Sequence, residues 1–174
     1  MRGRHFVFTG FGPFADVAYN PSWDCALAAA ETSEGHAELL DVTIGAAEDA
    51  AERLADADVL VQFGVAVARN EVCLERFAHN WWQDYGDAHP CRLLEGGAVA
   101  FESPLPLDRW ALELDGAGGF SWVVSHDAGT YVCNAAFYHA LSRGRTAVFV
   151  HVPDCTPAKA TQIGAALGRY LATR

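Results

Sequence analysis

Much is missing from this 174-residue chain. No two cysteines form a CxxC pair, so the usual spacing of a structural zinc site is absent. No apolar run approaches the roughly 20 residues that span a bilayer. Basic residues are scarce: 12 Lys and Arg stand against 22 Asp and Glu, for a formal net charge of −10. This excess argues against a nucleic-acid surface, because phosphate binding needs clustered Lys and Arg. It argues equally against an anionic membrane surface. GFGPF (10–14) lacks the GxGxxG spacing of a phosphate loop, and its proline and aromatics suit a ring better than a pyrophosphate. The opening MRGRHFVFTGFGPF starts basic and turns apolar, but it reaches a Gly-Pro turn too soon for a signal peptide and shows no cleavage site. It reads instead as a first strand. The five cysteines (Cys25, Cys73, Cys91, Cys133 and Cys155) are odd in number and irregular in spacing, which points to reduced thiols in a cytoplasm.

What is present is globular. Hydrophobic residues make up 51% and charged residues 20%, and the length suits one domain with a full core. Short apolar runs alternate with helical patterns. HFVFTG (5–10), AELLDVTI (37–44), DVLVQFG (58–64), SWVVS (121–125) and TAVFVHVP (146–153) read as strands. PSWDCALAAAET (21–32), AEDAAERLADA (47–57) and the closing TPAKATQIGAALGRYLATR (156–174) read as helices, two of them with proline near the start. This alternation predicts an α/β fold, a single three-layer α/β/α domain over residues 1–174 whose sheet is mostly parallel or mixed. In such folds the site lies beyond the carboxyl ends of the strands. Residues 79–105, HNWWQDYGDAHPCRLLEGGAVAFESPL, read as a long irregular excursion over or beside that site.

One cysteine stands apart from the rest. In SHDAGTYVCNAAFYHAL (125–141), Cys133 sits where a Gly-containing turn runs into a helix. A thiol there feels the positive end of the helix dipole and free backbone N–H groups, both of which favour the reactive thiolate. His151 ends the next strand, AVFVHVP, so a strand–loop–helix–strand unit brings the two to one sheet edge. A thiol beside an imidazole is the minimum for nucleophilic catalysis. A third group should orient the imidazole. The candidates are Glu71, Glu75 and Asp127. Glu75 is favoured, because CLERFAHN is otherwise largely apolar and a carboxylate buried there needs a partner.

Four ordered segments carry a family resemblance. TGFGPFADVAYNPSW, ARNEVCLERFAHN, SHDAGTYVCN and VFVHVP together resemble the pyroglutamyl peptidase I family, the pyrrolidone-carboxylate cysteine peptidases, over nearly the whole chain. The resemblance implies an omega-peptidase of the phosphorylase/hydrolase fold type that removes N-terminal pyroglutamate without a metal or organic cofactor. It places the nucleophile on Cys133, the base on His151 and the catalytic glutamate on Glu75. It implies ring-binding aromatics at Phe11 and Phe14, an opposite wall at Tyr131 and Val132, and an oxyanion or loop role for Arg69. The expected partners are small peptides beginning with pyroglutamate. A homo-oligomer, dimer or tetramer, stays open.

The chain is short for that family. The shortening falls between residues 30 and 60 and after His151, and VQFGVAVAR is less glycine-rich than usual. Two alternatives therefore stand beside the peptidase: a non-catalytic lactam-binding or peptide-binding homologue, and a thiol amidohydrolase for another small cyclic amide. Asn20 is expected to fix the Phe11–Phe14 loop. His79, Asp84, His89 and Cys91 match no standard metal spacing. Trp81 and Trp82 are candidates for a cap over the site or for an oligomer contact. Cys155 reads as an inert neighbour of His151, and Cys25 and Cys73 as packing residues.

Overall fold

The computed structural model describes residues 4–15, 17–84, 87 and 89–174. Residues 1–3 of the basic opening, Asp16 of the N-terminal signature, and Tyr85, Gly86 and Ala88 of the excursion lie outside the described residues. Among the described residues, eight strands and five α-helices follow in the order β1 (Phe6–Phe11), α1 (Pro21–Ser33), β2 (His36–Leu40), α2 (Ile44–Arg53), β3 (Val59–Val65), β4 (Val72–Glu75), β5 (Phe77–His79), β6 (Ala100–Glu102), α3 (Leu107–Leu114), β7 (Trp122–Ser125), α4 (Val132–Ser142), β8 (Ala147–Val152) and α5 (Pro157–Ala172).

Six strands form one sheet in the order β2-β1-β3-β8-β4-β7. β2, β1, β3 and β8 run parallel, β4 runs antiparallel to β8, and β7 runs parallel to β4. Every residue of β1 and β8 is buried, as strands covered on both faces require. Their side chains alternate between two cores. Phe6, Phe8, Val148 and Val150 face the layer of α1, α3 and α5, with Trp110 and Ile163. Val7, Phe11, Ala147 and Phe149 face the layer of α2 and α4, with Ala47 and Phe137. The result is a three-layer α/β/α arrangement.

Local chemistry fixes the helix starts. Asn20 accepts from the Ser22 N–H to open α1, Thr43 from Ala46 to open α2, and Thr156 from Lys159 to open α5; α1 and α5 also carry proline in the first turn. The α1–α5 contact is tight because α5 carries Gly164 and Gly168. A Cβ on Gly164 would lie 2.1 Å from the Cys25 carbonyl oxygen, and one on Gly168 2.4 Å from that of Ala29.

The structure departs from the sequence expectations in several places. The strand expected over 37–44 stops at Leu40, because the Thr43 cap starts α2 at Ile44 rather than at 47. Helix α3 and strands β5 and β6 were not anticipated, and β4 was expected only as a strand holding Cys73. The excursion over 79–105 is irregular only in part, since β6 returns to pair antiparallel with β5, and that ribbon packs on α4.

Candidate active site

Helix α4 opens without a side-chain cap. Its N-cap is Tyr131, in extended backbone, and Gly129 at φ 79° turns the chain into it. No N-cap side chain occupies the first-turn N–H groups, and such a helix start suits an incoming acceptor. Cys133 is the second residue of this helix and is partly buried. Its sulfur stands over β3 at Gly64: a Cβ on that glycine would lie 2.8 Å from Cys133 Sγ and 2.7 Å from Phe149 Cζ. The absence of a side chain at position 64 makes room for the thiol. Gly64 pairs in register with His151 on the adjacent parallel strand, and thiol and imidazole line the same cavity above these two strands.

His151 is 5% exposed. Its Nδ1–H donates to Glu75 Oε1 at 2.7 Å, which leaves Nε2 as the accepting nitrogen. The reversed direction of β4 explains this contact. β4 starts near the end of β8, with Cys73 opposite His151, and runs inward until Glu75 lies opposite Phe149. The carboxylate thus reaches the imidazole diagonally from inside the sheet rather than from its open edge. It has no exposure. Its Oε1 also accepts from Arg69 Nη1 at 2.5 Å, while Oε2 receives no hydrogen bond among the described residues. Glu71 and Asp127, the other two candidates, are exposed. Asp127 turns its carboxylate onto the Gly129 N–H at 2.8 Å.

The thiol corrects one expectation. Burial pushes Cys133 up to about 12, and the Glu75 carboxylate adds to this, while the cysteine's own backbone N–H and Arg69 pull the other way without prevailing. The helix start does act in the expected direction, but desolvation outweighs it. A sulfur shifted this way favours the thiol and calls for a base to take its proton.

These groups end a cavity of about 320 Å³. Phe11, Phe14, Val42, Val65, Val67, Tyr131 and Val132 make it largely apolar, with Asn20, Arg69, Cys133 and His151 as polar points. The expected ring-binding residues Phe11, Phe14, Tyr131 and Val132 therefore share one wall system with Cys133. Arg69 lines the cavity too, yet its hydrogen bonds go to protein atoms: Glu75, the Asp127 carbonyl and, at 3.4 Å, Ser125 Oγ. Asn20 donates to the Gly12 carbonyl at 3.0 Å, fixing the Phe11–Phe14 loop as expected, and it also touches the cavity.

Sequence reasoning passed over two asparagines. Asn134, next to Cys133, accepts from the His79 N–H at 2.8 Å and donates to the carbonyls of His79 at 2.9 Å and Trp81 at 2.7 Å. Asn80 donates to the Leu94 carbonyl and accepts from the Leu93 and Leu94 N–H groups. Together they staple the excursion beside the nucleophile helix. Asparagine carries no periodicity signal, so only the structure identifies these roles. Trp81 is 44% exposed and stacks on His79. Among the described residues no group of three His, Cys, Asp or Glu side chains is placed to hold a metal.

Comparison with known proteins shows the family and the fold. The sequence profile of the pyroglutamyl peptidase family matches residues 4–166. The chain is 35% identical over 161 residues to a pyrrolidone-carboxylate peptidase of Chromobacterium violaceum, covering 84% of this chain and 76% of that protein. It is 32% identical to pyroglutamyl-peptidase 1 of Rattus norvegicus, covering 92% and 85%. The fold is similar to that of the pyrrolidone carboxyl peptidase from Thermococcus litoralis, with a TM-score of 0.79 at 20% identity over 98% of this chain and 93% of the other. With a family match spanning almost every element described above, the chain belongs to the pyroglutamyl peptidase family.

Proposed function

We propose that this chain is a cysteine omega-peptidase that hydrolyses the amide bond after an N-terminal pyroglutamyl residue, with Cys133 as nucleophile, His151 as general base and acid, and Glu75 as the group that orients His151. The observation that carries this reading is the convergence of three features. The thiol stands over Gly64, the imidazole beside it is held by a buried carboxylate at 2.7 Å, and both end an aromatic-lined cavity.

The chemistry follows from the protonation states. With the thiol pushed up to about 12, a free thiolate is rare near neutral pH. His151 Nε2 takes the thiol proton as sulfur attacks the pyroglutamyl carbonyl, and Glu75 stabilises the imidazolium that forms. The carbonyl oxygen gains negative charge and is held by the uncapped N–H groups at the start of α4, a contribution of typically ~3 kcal/mol per donor. His151 then gives its proton to the leaving amine as the C–N bond breaks, leaving a thioester on Cys133. Water attacks that thioester, with its proton going to His151. The C–S bond breaks, pyroglutamate leaves and the sulfur recovers the proton. Pyroglutamate is a neutral lactam with an apolar ring, and it suits a slot of Phe11, Phe14, Tyr131 and Val132 with few polar points.

No helix of the described residues is long and apolar enough to cross a membrane. A cytoplasmic enzyme acting on small peptides, as one catalytic domain over residues 1–174, fits the reduced cysteines. The test is release of aminocoumarin from its pyroglutamyl amide under reducing conditions. Wild type is expected to release it and Cys133→Ser to lose release altogether. A folded wild type that releases none overturns the reading.

A further inference from the structure

Arg69 sits in the turn after β3, and its guanidinium works in two directions. Nη1 donates to Glu75 Oε1 at 2.5 Å, and Nη2 donates to the Asp127 carbonyl at 2.7 Å. The oxygen it takes on Glu75 is the one that His151 Nδ1 also takes. Arginine and imidazole thus share a single oxygen of a carboxylate with no exposure. Asp127 begins the turn that leads through Gly129 to Cys133. One side chain therefore touches both the group that orients the base and the segment that places the thiol.

We propose, on the basis of the cysteine-peptidase reading, that Arg69 is a positioning residue of the reaction. Its fixed charge satisfies Glu75, so that His151 meets Cys133 as the neutral, proton-accepting imidazole, and its second arm holds the Asp127–Cys133 segment in register with that base. A buried carboxylate requires a counter-charge. The groups that face the imidazole are Glu75 and Cys73 from β4, Arg69 from the β3–β4 turn and Cys133 from α4. Burial pushes the Cys73 thiol up, so it is neutral. Among these groups only Arg69 carries a permanent positive charge. Burial opposes that charge, but Glu75 and the surrounding hydrogen bonds outweigh it. Without Arg69, the imidazolium would be the one cation paired with Glu75 among the described residues, and a protonated His151 cannot accept the thiol proton. The fork matters separately: a lysine supplies the charge but not two diverging donors.

The competing reading makes Arg69 a substrate contact, because it lines the cavity. Kinetics and titration separate the two. Arg69→Gln and Arg69→Lys are compared with wild type for kcat and KM on the pyroglutamyl aminocoumarin amide across about pH 5 to 9. The His151 imidazole is titrated independently by NMR and assigned against His151→Asn. In Arg69→Gln, kcat is expected to fall at least about tenfold with KM nearly unchanged. The acid limb of kcat/KM and the NMR midpoint should rise together. Arg69→Lys should keep the wild-type midpoint and still lose kcat, since the arm to Asp127 is gone. A raised KM with kcat and midpoint unmoved overturns the proposal in favour of a substrate contact, as does an unmoved midpoint in folded Arg69→Gln. If Arg69→Gln does not fold, Arg69→Lys decides: reduced kcat at an unmoved midpoint supports the proposal, and a raised KM alone overturns it. If wild type releases no coumarin, the peptidase reading fails by itself, and the NMR midpoints still decide whether Arg69 sets the imidazole's charge.

Discussion

Gly64→Ala tests the geometry of the site more sharply than removal of any reacting group, because it adds one methyl and no chemistry. Gly64 lies in β3 with ordinary extended backbone, so the substitution brings no φ strain. The methyl would meet Cys133 Sγ at 2.8 Å and Phe149 at 2.7 and 2.8 Å. Favourable non-bonded contacts of this kind lie near 3.5–4.0 Å, so the sulfur, the ring or the strand must retreat by about 1 Å. The ring is confined: Phe149 is fully buried and packs on His151 with centroids 4.8 Å apart. Retreat of the sulfur or of this ring alters the thiol–imidazole relation either way. A displacement of about 1 Å in a reacting group costs on the order of 100-fold in rate. Overpacking costs a further ~1–3 kcal/mol of stability. The assay is kcat and KM on pyroglutamyl aminocoumarin amide, with a thermal melt to confirm the fold. The expected result is kcat lowered on the order of 100-fold with KM little changed, since the ring slot of Phe11, Phe14 and Tyr131 is untouched. A folded Gly64→Ala enzyme with kcat close to wild type would refute the placement of the sulfur over this glycine.

Two further outcomes follow from the same coordinates. Desolvation pushes the Cys133 thiol up to about 12, and a raised value means the protonated thiol persists as pH rises; in His151→Asn, alkylation by iodoacetamide should still be accelerating at about pH 10, whereas a plateau near the ordinary thiol value of about 8.5 would show that desolvation does not govern this sulfur. Gly168→Ala puts a methyl 2.4 Å from the Ala29 carbonyl oxygen across the α1–α5 contact, which should cost ~1–3 kcal/mol and lower Tm by several degrees in a calorimetric scan without changing KM; an unchanged Tm would mean the two helices separate freely.

Particular residues show how far the sequence reached. The runs HFVFTG, DVLVQFG and TAVFVHVP are legible as buried strands because a strand covered on both faces has no polar face to interrupt it. Pro21 and Pro157 mark helix starts because their fixed φ and missing N–H suit only the first turn. Strand β4 was legible only as a strand around Cys73, without bounds or direction. VCLE has four residues and no flanking turn chemistry, and nothing in it states its direction. The short ribbon of β5 and β6 escaped notice because its pairing spans the irregular excursion.

The sequence by itself determined the alternation of strands and helices and the placement of Cys133 at a helix start and of His151 at a strand end. These are local properties, set by side-chain period and cap chemistry. Tertiary structure decided the rest. The reversed β4 carried Glu75 inward to His151, and the return of the β3–β4 turn set Arg69 on the same carboxylate. Desolvation made Cys133 a thiol where the helix start alone favours a thiolate. Each of these depends on which groups the fold removes from water together, and that is a property of the packed molecule that no single stretch of chain carries.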